Sequence, residues 1–273
     1  MMRDNKGSKV PPVSVILPTY NRAEIVKRSI LSVLNQTYKN FELIIVDDAS
    51  TDKTQMVVEE FSDRRIKYLR NTQNLGPAAS RNIGIKASRG IFIAFQDSDD
   101  EWHTMKLKAQ IDAIHRFDKK TGVIYTSTLR KYDDKQYKIP SNKVKKKEGY
   151  LFRSMILGRY LVPTPSALVK KICFEKCGYF DEKLQVLEEW DIWIRMSKYF
   201  KFGYVNKPMT FSYYTPSSLS TQRDLFALGT WKIINKHFKD FIFRPDALFL
   251  ALYRIIRLYI GHLLYLDGTS TNN

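Results

Sequence analysis

Cysteine is almost absent from this chain, with 2 residues in 273, and glycine and proline are sparse at 12 and 10. Cys173 and Cys177, spaced like neighbours on one helical turn, fit a reducing compartment and leave no material for a disulfide framework. The four histidines are scattered with no ligand cluster around them, which argues against a zinc site. No internal repeat and no low-complexity tract is found, and with 44% hydrophobic residues the chain is too apolar to be disordered. The opening MMRDNK has no apolar stretch, so no secretory signal is expected and the chain reads as cytoplasmic. Acidic residues are the scarce charge, 28 against 45 basic, and the net charge of +17 calls for an anionic partner. Nucleic acid, an anionic membrane surface and a phosphorylated substrate all satisfy that.

Three short polar clusters are present, each behind an apolar run: Pro18-Thr19-Tyr20-Asn21 after VSVIL, Asp47-Asp48 after FELIIV, and Asp97-Ser98-Asp99-Asp100 after IFIAFQ. In open α/β sheets ligands bind beyond the carboxyl ends of parallel strands, so three such ends imply one shared crevice. From residue 13 to about 100, β-branched runs alternate with helical periodicity, the mark of βαβ units around a parallel sheet. Helices are expected over 23–35, from a cap at Thr51 or Asp52 through 61, from Pro77 to about 90, over 104–117 and over 188–200. The spacing also predicts a strand at VIYTS, a polar stretch over 130–147 and a Ser- and Tyr-rich connection over 208–221. The lysine-rich 130–147 stretch reads either as a solvated loop or as a contact with membrane phosphate or an anionic acceptor.

Asp97 and Asp99 are one residue apart, so a turn leaving the strand can aim both at one point, where a hard divalent cation such as Mg or Mn fits. Such an ion would bridge to a diphosphate, since it usually takes one or two carboxylates and fills its shell with water and substrate oxygens. Asp48 either accepts from a uracil imide or a ribose hydroxyl, or caps the helix that follows it. Arg81 is either a surface charge or a group that reaches the base or braces the acidic cluster. Trp102 and His103 are candidates for a sugar wall, with core packing the competing role for Trp102.

Taken together, VSVILPTYNR, Val46-Asp47-Asp48-Ala49-Ser50-Thr51-Asp52, Asn74-Leu75-Gly76-Pro77-Ala78-Ala79-Ser80-Arg81-Asn82 and Asp97-Ser98-Asp99-Asp100 resemble family 2 glycosyltransferases of the GT-A fold. The resemblance is close over 13–105 and looser to about 215. It implies an α/β, Rossmann-like fold with a mostly parallel central sheet, and a nucleotide-sugar donor, usually a UDP-sugar. Pro18, Thr19, Tyr20, Asn21, Asp48, Arg81, Asp97 and Ser98 would hold the nucleotide, and Asp97 and Asp99 the metal of a DXD motif. It also implies inversion at the anomeric carbon in the manner of a hexosyltransferase. The acceptor would be a glycan or lipid-linked hydroxyl, as in bacterial surface polysaccharide synthesis. The family's acidic pair matches Glu188-Glu189-Trp190-Asp191, which makes Glu189 the expected base and Asp191 the second choice. Asp191, four residues before Arg195, is also placed to pair with it. Asp100, Trp102, His103, Glu188 and Trp190 complete the expected sugar and acceptor pocket.

Residues 13–222 then form the catalytic domain, with a nucleotide half over 13–105 and an acceptor half over 106–222, between a tail at 1–12 and a helical region at 223–273. Nucleic acid is not an expected partner, because no recognised nucleic-acid motif is present and a carboxylate-lined crevice repels a phosphate backbone. A sugar nucleotidyltransferase would need a Gly-rich, Arg-containing phosphate loop where Pro18-Thr19-Tyr20-Asn21 stands. A non-catalytic nucleotide-sugar binder is the other alternative. In the last region, Asp246 can cap a helix through ALFLALYRIIRLYIGHLLYL. It is long enough for a bilayer, but Arg254 and Arg257 near its middle disfavour a span. Arg254, Arg257 and Gly261 mark a narrow stripe, and the apolar remainder is expected either to dock on the domain or in a homodimer, or to lie at the inner membrane interface.

Overall fold

The first strand, β1 (Val13–Thr19), sends alternate residues to opposite sides: Val13, Val15 and Leu17 join one buried cluster and Ile16 the other. It lies between β2 (Phe41–Asp47) and β4 (Phe92–Phe95), with β3 (Ile66–Arg70) outside β2, and all three pairings are parallel. Every residue of β2 and β4 is buried, as covered strands require. Helices α1 (Val26–Leu34), α2 (Thr54–Glu59) and α3 (Pro77–Ala87) make the crossovers. Pro77 stands in the first turn of α3, behind Gly76 at φ +87°, a conformation suited to glycine. The computed structural model describes residues 12–132, 135–158, 162–213 and 223–270; for 223–224 and 259–270 it describes the backbone alone.

The sheet continues as a mixed one. Beyond the two-residue β5 (Glu101–Trp102) and α4 (Lys106–Arg116) come β6 (Thr121–Tyr132), β7 (Lys135–Ile139), α5 (Phe152–Ile156), β8 (Ala167–Lys170), α6 (Ile172–Cys177), α7 (Glu188–Ser197) and β9 (Lys201–Tyr213). Among the described residues the strand order is β3-β2-β1-β4-β8-β6-β9-β5, with β7 on the side of β6. β8 is antiparallel to both β4 and β6, while β6 and β9 run parallel. Helices α8 (Arg223–Lys236), α9 (Phe238–Ile242) and α10 (Pro245–Ser270) follow. Among the described residues no helix is long and apolar enough to cross a membrane.

Several expectations need correction. The 130–147 stretch is a hairpin over its first part, where β6 runs on to Tyr132 and pairs with β7. The 208–221 connection begins as strand, because β9 continues to Tyr213 against β6; residues 214–222 lie outside the described ones, as does the tail at 1–11. Helix ends fall one to three residues inside the expected bounds in α1, α3, α4 and α7. Asp52 does serve the start of α2, accepting from the Thr54 N–H at 2.9 Å.

Candidate active site

A cleft of about 1150 Å³ opens beyond the carboxyl ends of β1, β2 and β4 and is closed on its far side by the head of α7 and the ends of β6 and β9. Pro18, Thr19 and Tyr20 line it. Asn21 does not; at φ +50° it turns back, accepting from the Thr51 N–H at 2.8 Å while its own N–H donates to Ser50 Oγ at 2.9 Å. It ties the turn after β1 to the turn after β2. Asp48 lines the cleft with an already engaged carboxylate, accepting from Asn71 Nδ2 at 2.7 Å and the backbone N–H groups of Leu75 and Gly76 at 2.9 and 2.7 Å. Its work here is to fasten the 71–76 loop that leads into α3.

Arg81, one turn into α3 and 7% exposed, bridges the two acidic groups of the cleft. Its Nη1 donates to Glu188 Oε1 at 2.6 Å and its Nη2 to Asp97 Oδ1 at 3.0 Å. These bonds are those of a brace on the acidic cluster. Such a buried pair is sustained only by good geometry, and removing one partner leaves an uncompensated charge. Ser98, Asp99 and Asp100 complete the rim. Asp99 lies 4.0 Å from Arg22, a residue the sequence reading passed over. Asp100 is buried, and burial first, then the nearby Asp97 and Asp99, hold its carboxyl well above the usual range.

This crowding bears on a metal. Among the described residues no three His, Cys, Asp or Glu side chains converge on one point. The donor set at the rim is nevertheless all oxygen, from carboxylates that repel one another, with Asp97 keeping one oxygen clear of Arg81. Two carboxylates completed by water and a diphosphate suit Mg or Mn, which seldom rely on an all-protein cage.

Glu189 enters from the other side, in the first turn of α7. Its Oε2 accepts from the Thr164 Oγ1 hydroxyl at 2.7 Å and the Thr164 N–H at 3.2 Å, and its Oε1 has no hydrogen-bond partner among the described residues. Burial, reinforced by neighbouring Glu188, pushes its carboxyl up, while Thr164 and Arg81 oppose the rise. Thr164 sits in a 3-10 turn, Thr164–Ser166, held from below: Trp102 Nε1 donates to the Pro165 carbonyl at 3.1 Å and Gln110 Nε2 to the Ser166 carbonyl at 2.9 Å. Sequence reasoning missed Thr164. The only signal was a threonine between two prolines, and nothing in spacing links it to a glutamate 25 residues on. Arg130, Tyr132, Ser212 and Tyr213 were missed as well, because they reach the cleft only once β6 and β9 pair.

Three expected pocket residues and the second-choice base do not line the cleft. Trp102 is buried beneath it with the Lys106 ammonium 3.7 Å from its ring centroid, so its core role is the one realised. His103 is exposed and its Nδ1 accepts from the Met105 N–H at 3.1 Å. Trp190 points into the core, donating to the Met155 carbonyl at 2.6 Å. Asp191 is fully buried on the opposite face of α7, where His237 at 2.9 Å, Arg195 at 2.7 Å and Lys236 at 3.1 Å surround it. Those partners hold its carboxyl far below the usual range, and it has no access to an acceptor. Glu188 and Asp100 do line the cleft.

A parallel β3-β2-β1-β4 half, an antiparallel β8 and a cleft flanked by an acidic turn and an acidic helix head define the GT-A fold. Residues 14–178 match the model of glycosyl transferase family 2, and the chain belongs to that family. An uncharacterised glycosyltransferase of Rickettsia typhi is 30% identical over 196 residues, which is 71% of this chain and 60% of that protein. The Escherichia coli UDP-Glc:α-D-GlcNAc-diphosphoundecaprenol β-1,3-glucosyltransferase WfgD is 50% identical over 102 residues, 37% of this chain and 40% of that one. The chain thus spans less than two thirds of the length of either relative. Among solved structures, TarS residues 1–349 of S. aureus in complex with UDP-GlcNAc superposes with a TM-score of 0.66 at 22% identity, covering 82% of this chain and 66% of that one. The mannosyltransferase PcManGT of Pyrobaculum calidifontis, in complex with GDP-Man and Mn2+, gives 0.66 at 17% identity, covering 96% and 81%.

Proposed function

We propose that this chain is an inverting glycosyltransferase that moves a sugar from a nucleoside diphosphate donor, a UDP-sugar, to a hydroxyl of a glycan or lipid-linked acceptor. The carrying observation is Glu189, whose unpartnered Oε1 belongs to the same cleft as the acidic turn at Asp97–Asp100. The acceptor oxygen forms a bond to the anomeric carbon as the bond to the diphosphate oxygen breaks, and Glu189 Oε1 receives the acceptor proton. A half-buried carboxylate with a raised pKa is a stronger base than one in water. Asp97 and Asp99 would hold a divalent cation, Mn or Mg, that offsets the charge on the departing diphosphate. Arg81 and Glu188 keep the acidic turn and the helix head in register. In this reading 13–105 holds the nucleotide, 106–222 the acceptor, and 223–273 is an appendage, with the protein working at the inner face of the cytoplasmic membrane in surface polysaccharide synthesis. Support for UDP and for a lipid-linked acceptor comes from the relative in E. coli, and support for a metal from the Mn2+ complex of the mannosyltransferase.

A panel of nucleotide sugars, assayed for nucleoside diphosphate release with Mn, with Mg and after chelation, tests the proposal. Metal-dependent release with one donor is expected. A melting temperature raised by UDP with Mn, together with no release from any donor and acceptor pair, would favour the non-catalytic binder. No response to any nucleotide would remove the donor site altogether.

A further inference from the structure

We propose that the outer face of α9 and α10 is a docking surface for the headgroup boundary of an anionic lipid bilayer, an inference that rests on the lipid-linked acceptor proposed above. α10 packs on α8 and turns Ala247, Leu248, Ala251 and Ile255 into the larger hydrophobic cluster, at the three- and four-residue spacing of one helix face. Arg254 belongs to that inward face. Its Nη2 donates to the Gly158 carbonyl at 2.9 Å, its guanidinium lies 5.2 Å from the Trp190 ring centroid, and burial pulls its pKa down. Gly158 is at φ +65°, and a Cβ there would collide with the guanidinium, so the backbone is shaped to admit the arginine.

The consequence is a helix turned partly against the aqueous rule: Arg254 faces the protein, while Phe249 and Tyr253 face out. Phe249 is 70% exposed, and Leu252, Tyr253 and Ile256 are exposed beside it in sequence. α9 and its C-terminal cap add Phe238, Ile242 and Phe243, the last 84% exposed. Monomeric soluble proteins rarely leave so many large apolar side chains to water in one short segment. Charge names the occupant. The two acids of this segment whose side chains are described, Asp240 and Asp246, are each tied to a cation of the catalytic body, Lys198 and Arg153. Lys239 and Arg257 are exposed with no acid partner among the described residues. Exposed apolar groups interleaved with unpaired cations match the anionic headgroup boundary, whereas two copies of such a face would bring like charges together. With no described helix fit to cross a membrane, α10 would lie flat, about 39 Å long at 1.5 Å per residue. α8, which supports α10, also sets Leu225 and Phe226 in the cleft wall, so docking would bring the cleft toward the membrane that carries the acceptor.

Flotation of the full chain with phosphatidylglycerol-rich vesicles, against pure phosphatidylcholine, tests the proposal. The wild type should float with the first and not the second, and Phe249→Glu/Ile256→Glu and Lys239→Glu/Arg257→Glu should each weaken binding about tenfold or more. Both doublets change exposed positions and should keep the wild-type rise in melting temperature with UDP and Mn, which controls for folding. Wild-type protein that stays with neither vesicle, or doublets that float as well as wild type, would overturn the docking surface. So would a shift from dimer to monomer in either doublet, by sedimentation, with vesicle binding unchanged; that would hand the face to a second copy. If vesicles bind but no donor releases nucleoside diphosphate, the docking surface stands and the transferase reading falls.

Discussion

Glu189 and Asp191 stand two residues apart on α7 and live in opposite electrostatic worlds. Glu189 faces the cleft with one hydroxyl, one amide and a neighbouring glutamate, and its carboxyl is pushed up. Asp191 faces the core among Arg195, Lys236 and His237, and its carboxyl is pulled down. Burial acts on both in the same direction; the partners decide the sign. A carboxylate that pays desolvation and keeps a free oxygen can take a proton, and one saturated by cations can only hold elements together. The same helix therefore presents chemistry on one face and a fastener for α8 on the other.

The sharpest way to break this contrast is to exchange the roles. Glu189→Gln should keep UDP binding with Mn and lose about 100-fold or more in kcat, measured by nucleoside diphosphate release. Near-normal turnover would move the base elsewhere. Asp191→Ala should strip half-buried Arg195 of its carboxylate partner, while Lys236 and His237 keep Asp181 and Asp240, and cost about 3–5 kcal/mol of stability in denaturant melts, with kcat of the folded fraction unchanged. A catalytic loss without destabilisation would contradict its structural role. Asp191 also sets an acid dependence. With the folded pKa depressed, its contribution is present above the ordinary aspartate pKa and is lost as pH falls toward and through the folded value, so wild-type stability should decline on acidification more steeply than that of Asp191→Ala.

Thr164 sharpens the contrast from the Glu189 side. Glu189 must be ionised to act, so activity should rise with pH through its raised pKa. Thr164→Val removes a donor that favours the ionised form, so the acidic limb of kcat should move to higher pH, while Thr164→Ser should restore the wild-type profile. An unmoved limb in Thr164→Val would deny Thr164 a positioning role. The smallest effect is expected for Asp99→Ala, which should fold normally and lose the metal-dependent part of the UDP-induced rise in melting temperature. Retention of that rise would place the metal elsewhere.

What was legible in the sequence follows a physical line. β1, β2 and β4 write themselves as largely apolar runs, and their polar ends fall in one crevice because parallel strands expose their carboxyl ends on one edge. Helix α7 was legible too, since its acidic first turn and apolar spacing are local. Glu188 and Glu189 came with it. β8, four residues among polar and Pro-rich sequence, and β7, five residues with two lysines and a glutamine, carry too little periodicity to be read. Trp102 and Trp190 look alike in sequence to any ligand-facing aromatic; only the carbonyls of Pro165 and Met155, supplied 63 and 35 residues away, decide that both turn inward. Arg254 is the reverse case, a charge that hydropathy assigns to the outside until Gly158 offers it a seat.

Arg81 leaves one more consequence. Because a single guanidinium is shared between Asp97 and Glu188, whatever draws Asp97 toward a ligand alters the hold on the head of α7. In the proposed reaction, occupancy at one end of the cleft and readiness at the other would therefore be linked quantities, and linkage would run equally in both directions: by however much a donor steadied the acceptor end, an acceptor would steady the donor. Substitutions at Asp97, Arg81 and Glu188 will for the same reason not sum as independent effects, since each removes part of one shared bond set.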